Sequence, residues 1–545
     1  MGIKKYYADA DNTIANAYKT DLQTRATGAN MGLADVLEVF SIYGRQATGS
    51  QELSRILIKF GIPEISSDRT AGTLPASGNV SFYLRLFNAE TSKTVPRNLQ
   101  MTIHAVSQSW QEGEGLDLEN YKDITYTNEG SNWMSASNTA FWTDINDTLL
   151  VGGSYHTQSI NNADCNTEVH IFKQTLASGL EDLEVDITPL VEQWIAGTYT
   201  NYGVGVALTA SQEAFISGAL NGVTSRTPRL PDPADSTRTS IYNPSGSTKS
   251  YYTKRFFARG TQYFFKKPCI EARWNSVTRD DRGDFIYSSS LAPGEDNMNT
   301  LYLYNYVRGK LTNIPGIEKT GSIMVSLYSG SADNSEPSGS RLVLFNGATS
   351  ITGGWHSTGI YTCSVAITAA ATPIKTLYDV WHSGTLQSEH SLATTKEYFT
   401  GSIQAIKTTA AAAANKTSYF INITNLRNSY RKDETARFSL YVRNKNWSPT
   451  IYTKAKETPD HVPIVSASYR IFRTLDALEV VPHNTGSDFA TGMSYDVSGN
   501  YVDFDMSALE PGYEYGMKFA FYDSEMDSWL EQRKIFKFRV LDYEY

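Results

Sequence analysis

Along most of this chain hydrophobic and polar positions alternate with a period of two. In "NVSFYLRLFNA", Val80, Phe82, Leu84 and Leu86 fall on one face while Ser81, Tyr83, Arg85 and Phe87 fall on the other. Successive strand side chains point to opposite sides of a sheet, so this spacing predicts a strand with one buried face. "SRILIKF", "LQMTIHAVSQSW", "GVGVALTA", "GSIMVSLYSG", "RLVLFN", "ARFSLYVRN", "SYRIFRTL", "NYVDFDMSAL", "EYGMKFAFYD" and "KIFKFRVL" carry the same signature. Helical spacing is rare. The clearest case is "DITPLVEQWIAG", where Thr188 is placed to cap, Pro189 suits a first turn, Val191 and Ile195 share a face with Trp194, and Gly197 ends the run.

Two breaks in this alternation divide the chain. Residues 276–298 are polar and turn-rich, and 408–418 hold an alanine run between strand-rich segments; both are expected to be linkers. The prediction is an all-β protein of three tandem β-sandwich domains with very little helix: 1–275, 299–407 and 419–545. The first is expected to be jelly-roll-like and the later two immunoglobulin-like. A proline-bearing stretch near 217–250 reads as a loop insertion in the first domain. In the last, "LEPGYEYGMKF" resembles the strand, Pro-Gly turn and tyrosine-bearing strand of immunoglobulin or fibronectin-like domains, with Tyr513 or Tyr515 as the corner. The second contributes Trp355 and Ile360 to its expected core.

Composition sharpens this reading. The 545 residues are 12% aromatic and only 19% charged, with 34 tyrosines, a profile of sandwiches rather than of disordered or helical chains. A net charge of -9, from 48 Lys and Arg against 57 Asp and Glu, repels polyanions on average, which argues against a nucleic-acid partner. Cys165, Cys269 and Cys363 lie far apart with no metal-ligand spacing, as expected of free buried thiols. The opening "MGIKKYYADADNTIANAY" has no apolar signal core and no long uncharged apolar run follows. Cytoplasmic synthesis without secretory export or membrane insertion is the expectation.

Six ordered blocks carry a family resemblance. "ADNTIANAY", "GANMGLADVLEVF", "ELSRILIKFGIP", "NVSFYLRLFNAE", "MTIHAVSQSWQEGEGLD" and "LEVDITPLVEQWIAGTYTNYGVGVALT" follow one another as in DNRLRE domains, and "FFARGTQYFFKKPCIEARW" resembles that family's closing strand pair. The resemblance covers about residues 4–275 and implies a β-sandwich module of the kind carried by surface proteins. "YYTKRFFARGTQYFFKKP" and "SSSLAPGEDNMNTLYLYNYVRGKL" are also similar to uncharacterised structural proteins of marine tailed bacteriophages, which implies a virion component.

Candidate chemistry is sparse. Loop oxygens of β-sandwich modules can hold a structural calcium, and Asp9, Asp11 and Asn12 or Glu112, Glu114 and Asp117 are the candidate ligands. Trp110, Trp133 and Trp142 are expected to close a sandwich end, with Trp194 at the other; the alternative is that the first three stack on sugar faces. Lys254, Arg255, Arg259, Lys266 and Lys267, interleaved with aromatics, are expected at strand ends or a sheet edge, or as a contact to an acidic neighbour. Arg282, Gly283 and Asp284 spell an adhesion tripeptide in a setting that argues for coincidence. No GxSxG, HExxH or phosphate-binding loop occurs in a fitting context, so neither an enzyme nor a cofactor is expected. The leading expectation is a non-enzymatic accessory or decoration protein on the head, neck or tail of a phage particle, contacting other virion proteins and copies of itself. The alternative is a carbohydrate-binding or adhesion module.

Overall fold

The computed structural model describes Gly2 to Asp542 except for residues 20–24, 45–49, 92–94, 117–129, 148, 158–166, 217–239, 289–292, 369–375, 385–395, 404, 407–417, 450, 452, 454–460 and 525. The alanine run, Asp117, Cys165 and most of the 217–250 insertion therefore lie outside the described residues. Strands dominate, arranged in several antiparallel sheets, as the period-two pattern requires. Among the described residues no helix is long and apolar enough to cross a membrane. The chain forms two compact units, one over Ile3–Trp274 and the other essentially Asn275–Tyr545.

Among its described residues the Ile3–Trp274 unit has ten strands: β1 Ile3–Ala15, β2 Val36–Gly44, β3 Ser50–Phe60, β4 Ser81–Leu86, β5 Leu99–Ala105, β6 Ile171–Leu176, β7 Leu183–Asp186, β8 Val204–Leu208, β9 Tyr251–Phe257 and β10 Cys269–Arg273. The first half of β1 pairs with β10, which pairs with β4 and then β7. A register shift between Ala8 and Ala10 turns β1, and its second half pairs with β3, followed by β8, β5 and β6. A bulge bends a strand, and here it lets one strand serve two sheets. Phe82, Leu84, Ile270 and Ala272 of one layer meet Ile56, Ile58, Ile103 and Val206 of the other in a single core.

Both faces of β3 are used. Ile56, Ile58 and Phe60 enter that core, while Leu53 and Leu57 face a second cluster under the loops that carry Trp110, Trp133 and Trp142. Two short helices, α1 Ile62–Ala71 and α3 Thr188–Ala196, are tied by paired Arg69–Glu192 bonds of 2.6 and 2.7 Å; α2 is a single turn, Thr167–His170. Helix α1 is not announced by hydrophobic spacing, although it has the same grammar as α3: proline in the first turn and a closing glycine at positive φ, Gly72 and Gly197. With only Ile62 and Ile65 buried, α1 shows too thin an apolar stripe to stand out. Thr188 does not cap α3; its hydroxyl accepts from the Phe82 amide at 2.7 Å, fastening the helix to β4.

In the Asn275–Tyr545 unit, β11 Phe285–Ile286 through β21 Ala405–Ile406 build a first sandwich. Its sheet is ordered β12 Asn299–Tyr304, β18 Ile360–Val365, β17 Ile351–Ser357, β15 Ile323–Gly330, β19 Leu377–His382 and β20 Glu397–Ile403, with β16 Pro337–Ser338 beside β15. A hairpin, β13 Tyr306–Val307 and β14 Lys310–Leu311, stands off it, and β11 pairs with β21. Trp381, Tyr361, Leu303 and Val325 fill its core, with Trp355 packed against them.

A second sandwich follows. One sheet is β22 Tyr419–Ile423, β24 Thr435–Asn444, β28 Gly499–Asp505 and β27 Ser494–Asp496. The other is β23 Ser429–Arg431, β31 Phe536–Leu541, β29 Glu514–Asp523, β25 Ala467–Arg473 and β26 Glu479–Val481, with β30 Ser528–Glu531 beside β29. Phe438 and Phe538 meet between the sheets at 5.4 Å, and the Tyr515 hydroxyl donates to the Glu510 carbonyl at 2.7 Å, closing the corner that the Pro-Gly turn predicts.

In the 276–298 segment, predicted as a linker, the part from Thr278 to Arg282 is packed. Thr278 and Asp280 bond the backbone of Tyr495, extending the β27 edge, and Asp281 accepts from the Tyr495 hydroxyl at 2.7 Å and from the Thr300 amide at 2.7 Å. Arg282 then enters the first sandwich. Its guanidinium bonds Asp280 at 2.7 Å, Asp379 at 2.6 and 3.2 Å, and the Tyr302 carbonyl at 2.9 Å. Burial alone would lower the Arg282 pKa, but the Asp379 and Asp280 carboxylates hold it above the ordinary guanidinium value. Polarity in this segment reports a buried ion cluster rather than a solvated connector, and the arginine of the adhesion tripeptide is unavailable for adhesion.

Removing one member of a buried ion cluster leaves the others uncompensated, at about 3–5 kcal/mol. Arg282→Ala is therefore expected to lower the urea midpoint of the full chain and to speed hydrogen exchange in Asn299–Tyr304 and Leu377–His382. Arg431→Ala, which breaks an exposed pair with Asp433, should leave both measurements unchanged.

Candidate functional site

The residues singled out in the Ile3–Trp274 unit are mostly consumed by its architecture. Trp133 and Trp142 have no exposed surface and Trp110 only 8%. The indole nitrogens of Trp110 and Trp142 donate to the Tyr202 and Asn132 carbonyls, each at 2.8 Å. Rings whose faces and donors are spent on the core cannot stack on a sugar, so the glycan-stacking expectation fails for all three. The loops carrying them fold over the outer face of β3, where Arg55 also lies, bonded to Glu213 at 2.8 Å and 5.6 Å from the centre of the Trp133 ring.

The five cations near β9 do not form a common edge. Lys254 shares the inward face of β9 with Phe256 and is 1% exposed; its ammonium donates to Asn88 at 2.5 Å and to the Gly179 and Glu181 carbonyls at 3.0 and 2.8 Å. Burial pulls its pKa down to about 8 against the pull of Asp182 and Glu181. Arg255 pairs with Glu38 at 2.5 Å, Arg259 with Glu112 at 2.8 Å, and Lys266 lies 5.4 Å from the centre of the Phe87 ring. Lys267 is half-buried. The alternation that signals a strand cannot tell which of its charged faces will be roofed. The neighbouring β10 makes the same point: as a central strand it buries Glu271, which Lys5, Arg85 and Arg273 surround at 3.7, 3.6 and 2.7 Å.

The two calcium candidates meet in space, across an arginine. The Asp11 amide donates to Glu112 at 2.8 Å, the Arg259 amide donates to Asp11 at 2.5 Å, and the Arg259 guanidinium pairs with Glu112. Arg259 thus links the two carboxylates, its backbone amide on Asp11 and its guanidinium on Glu112. Asn12 is spent on Ser131 and on the Met31 amide, and Asp9 and Glu114 are exposed. Among the described residues no three His, Cys, Asp or Glu side chains gather as metal ligands would. Asp11 is 1% exposed with one oxygen lacking a hydrogen-bond partner, and burial pushes its pKa up to about 7, the Arg259 amide bond opposing. Cys269 and Cys363 are free and buried.

Open surfaces with defined geometry lie in the Asn275–Tyr545 unit. On β22, an outer strand of its sheet, Phe420 stands opposite Arg443 of β24. The Arg443 guanidinium lies 5.8 Å from the Phe420 ring centre and 5.2 Å from that of Trp447, and Lys534 approaches Phe420 at 5.7 Å. Phe420 is 48% and Trp447 44% exposed, making an aromatic and cationic patch. Elsewhere a shallow cleft has walls from both sandwiches: Tyr304, Tyr306 and Leu311 from one, Arg437, Tyr501 and Asp503 from the other. Arg437 and Asp503, directly opposite across β24 and β28, form a bidentate pair at 2.7 and 2.8 Å, and the guanidinium lies 4.2 Å from the Tyr501 ring centre. None of these residues stood out in the sequence. The outward face of "ARFSLYVRN" contains Arg437 and Arg443, but their partners are set by strand register.

No protein-family model and no curated protein matches the chain. Among solved structures, a crystal structure of a Salmonella alpha-2-macroglobulin mutant aligns with 99% of this chain at 7% identity and a TM-score of 0.13, too low to carry an argument. The chain spans 34% of that chain's length.

Because Asp11 holds its proton to about pH 7 when folded but only to about pH 4 when unfolded, the wild-type unit should lose stability as pH rises between those values. Asp11→Asn can still accept the Arg259 amide and carries no charge. Its stability relative to wild type, from urea unfolding at a series of pH values, should climb from about pH 4 and level off above about pH 7.

Proposed function

We propose that this chain is a structural protein of a tailed bacteriophage particle, an accessory or decoration subunit that acts by contact rather than catalysis. The observation that carries the reading is the Arg443 patch, in which a guanidinium sits between two half-exposed aromatic rings beside an outer strand. Aromatic residues and arginine are the side chains enriched where protein surfaces meet. A cationic patch on a chain of net charge -9 suits an acidic neighbour, including another copy of the same chain. The stretches "YYTKRFFARGTQYFFKKP" and "SSSLAPGEDNMNTLYLYNYVRGKL", similar to structural proteins of tailed bacteriophages, support the same reading, and the six DNRLRE-like blocks add a surface-protein module to it. "NVSFYLRLFNAE" contains β4, and the block from Leu183 runs through β7, α3 and β8. On this proposal the first unit is a DNRLRE-like module, and the virion is where the protein resides.

Purified particles should contain the chain by mass spectrometry, and gold-labelled antibody should mark one repeated location. A Phe420→Ser, Trp447→Ala double variant that melts like wild type should enter particles at least about 10-fold less well, as loss of an aromatic anchor implies. Absence of the chain from disrupted particles would overturn the proposal.

A further inference from the structure

The cleft of the Asn275–Tyr545 unit has a chemistry distinct from that of the Arg443 patch. Tyr306 is 55% exposed and stands on the β13–β14 hairpin, whose two turn residues, Arg308 and Gly309, both have positive φ, at 51° and 80°. Two consecutive left-handed residues make the tight turn whose twist matches paired strands, so this short hairpin sets the backbone from which the ring projects. Below it, Arg437 and Asp503 are locked by register, by their bidentate bonds and by the Tyr501 ring, yet 44% and 40% of their side chains face solvent. The cleft has a volume of about 90 Å³, below the roughly 300–1,000 Å³ of sites that engulf a drug-sized ligand, so it offers one face to a ligand rather than enclosing it.

We propose that this cleft binds a single neutral sugar ring of a glycan, stacked on Tyr306 and hydrogen-bonded through vicinal hydroxyls to the Arg437–Asp503 pair. A flat, open aromatic ring matches the C–H face of a pyranose. A fixed guanidinium and carboxylate side by side offer donors and acceptors together, as adjacent hydroxyls require. Because each neutralises the other, the site has no uncompensated charge for an anionic ligand, which selects neutral sugars over sialic or uronic acids. Pre-organisation by strand register lowers the entropic cost of binding. The tyrosine pocket takes the role that the buried tryptophans cannot, and it stands independently of where the protein resides.

The test is a printed array of hexose- and N-acetylhexosamine-terminated oligosaccharides, with sialylated and uronate-bearing ones beside them, probed with the full chain. Hits are then titrated by calorimetry. Saturable binding to neutral glycans is expected, weakened at least about 10-fold by Tyr306→Ala and by Asp503→Asn, and unchanged by Trp447→Ala. Tyr306 is exposed, so Tyr306→Ala should melt like wild type; Tyr306→Trp, which keeps a stacking face, should retain binding. Silence across the array, binding confined to acidic glycans, or binding indifferent to Tyr306→Ala would each overturn the proposal. Particle incorporation of Tyr306→Ala should equal wild type, which separates this result from that of the Arg443 patch.

Discussion

The Asn275–Tyr545 unit turns on the guanidinium of Arg282. A guanidinium buried with two carboxylates is tolerable only if most of its donors are used, and here Asp280, Asp379 and the Tyr302 carbonyl use them. Asp379 in turn accepts from the Trp381 indole at 2.7 Å inside the core of the first sandwich. The same short segment bonds Tyr495 on the other side. Three consecutive residues, Asp280 to Arg282, therefore fix one sandwich against the other. The cleft containing Tyr306, Arg437 and Asp503 exists because of that fixation, since its walls come from both.

The Ile3–Trp274 unit solves a different problem. A sheet has two faces, and the main core covers only one of them. Over β3 the other face is roofed by the tryptophan-bearing loops, and over β10 it carries the Glu271 network. Roofing a face that bears charges requires partners for each, which is why Arg55 meets Glu213 and Arg273 meets Glu184 and Glu271; Lys254, on the inward face of β9, meets three oxygens for the same reason. Burial lifts the Glu271 pKa, yet Lys5, Arg273 and Arg85 together hold it below the usual carboxylate value. The polar side chains that look available in sequence are thereby turned into structure, and the open chemistry moves to the other unit.

Much of the fold was legible in the residues. The alternation in "NVSFYLRLFNA" and "ARFSLYVRN" marked strands with the correct inward faces, Pro189 and Gly197 bounded a helix, and the Pro-Gly turn announced a tyrosine corner. The candidate sites were much less legible. Alternation assigns a residue to a face without saying whether that face meets water, so Lys254 reads as a strand-end or edge cation and is core. The pairing of Arg437 with Asp503 spans 66 positions, and that of Arg282 with Asp379 spans 97.

The sequence by itself determined the all-β class and the positions of about a third of the strands, with the inward side where one face is buried, because period and turn chemistry are local. Tertiary structure decided which outward faces are covered, which strands lie at the centre of a sheet, and which charges meet across the fold. Those outcomes depend on register between distant strands, a relation that no local spacing encodes.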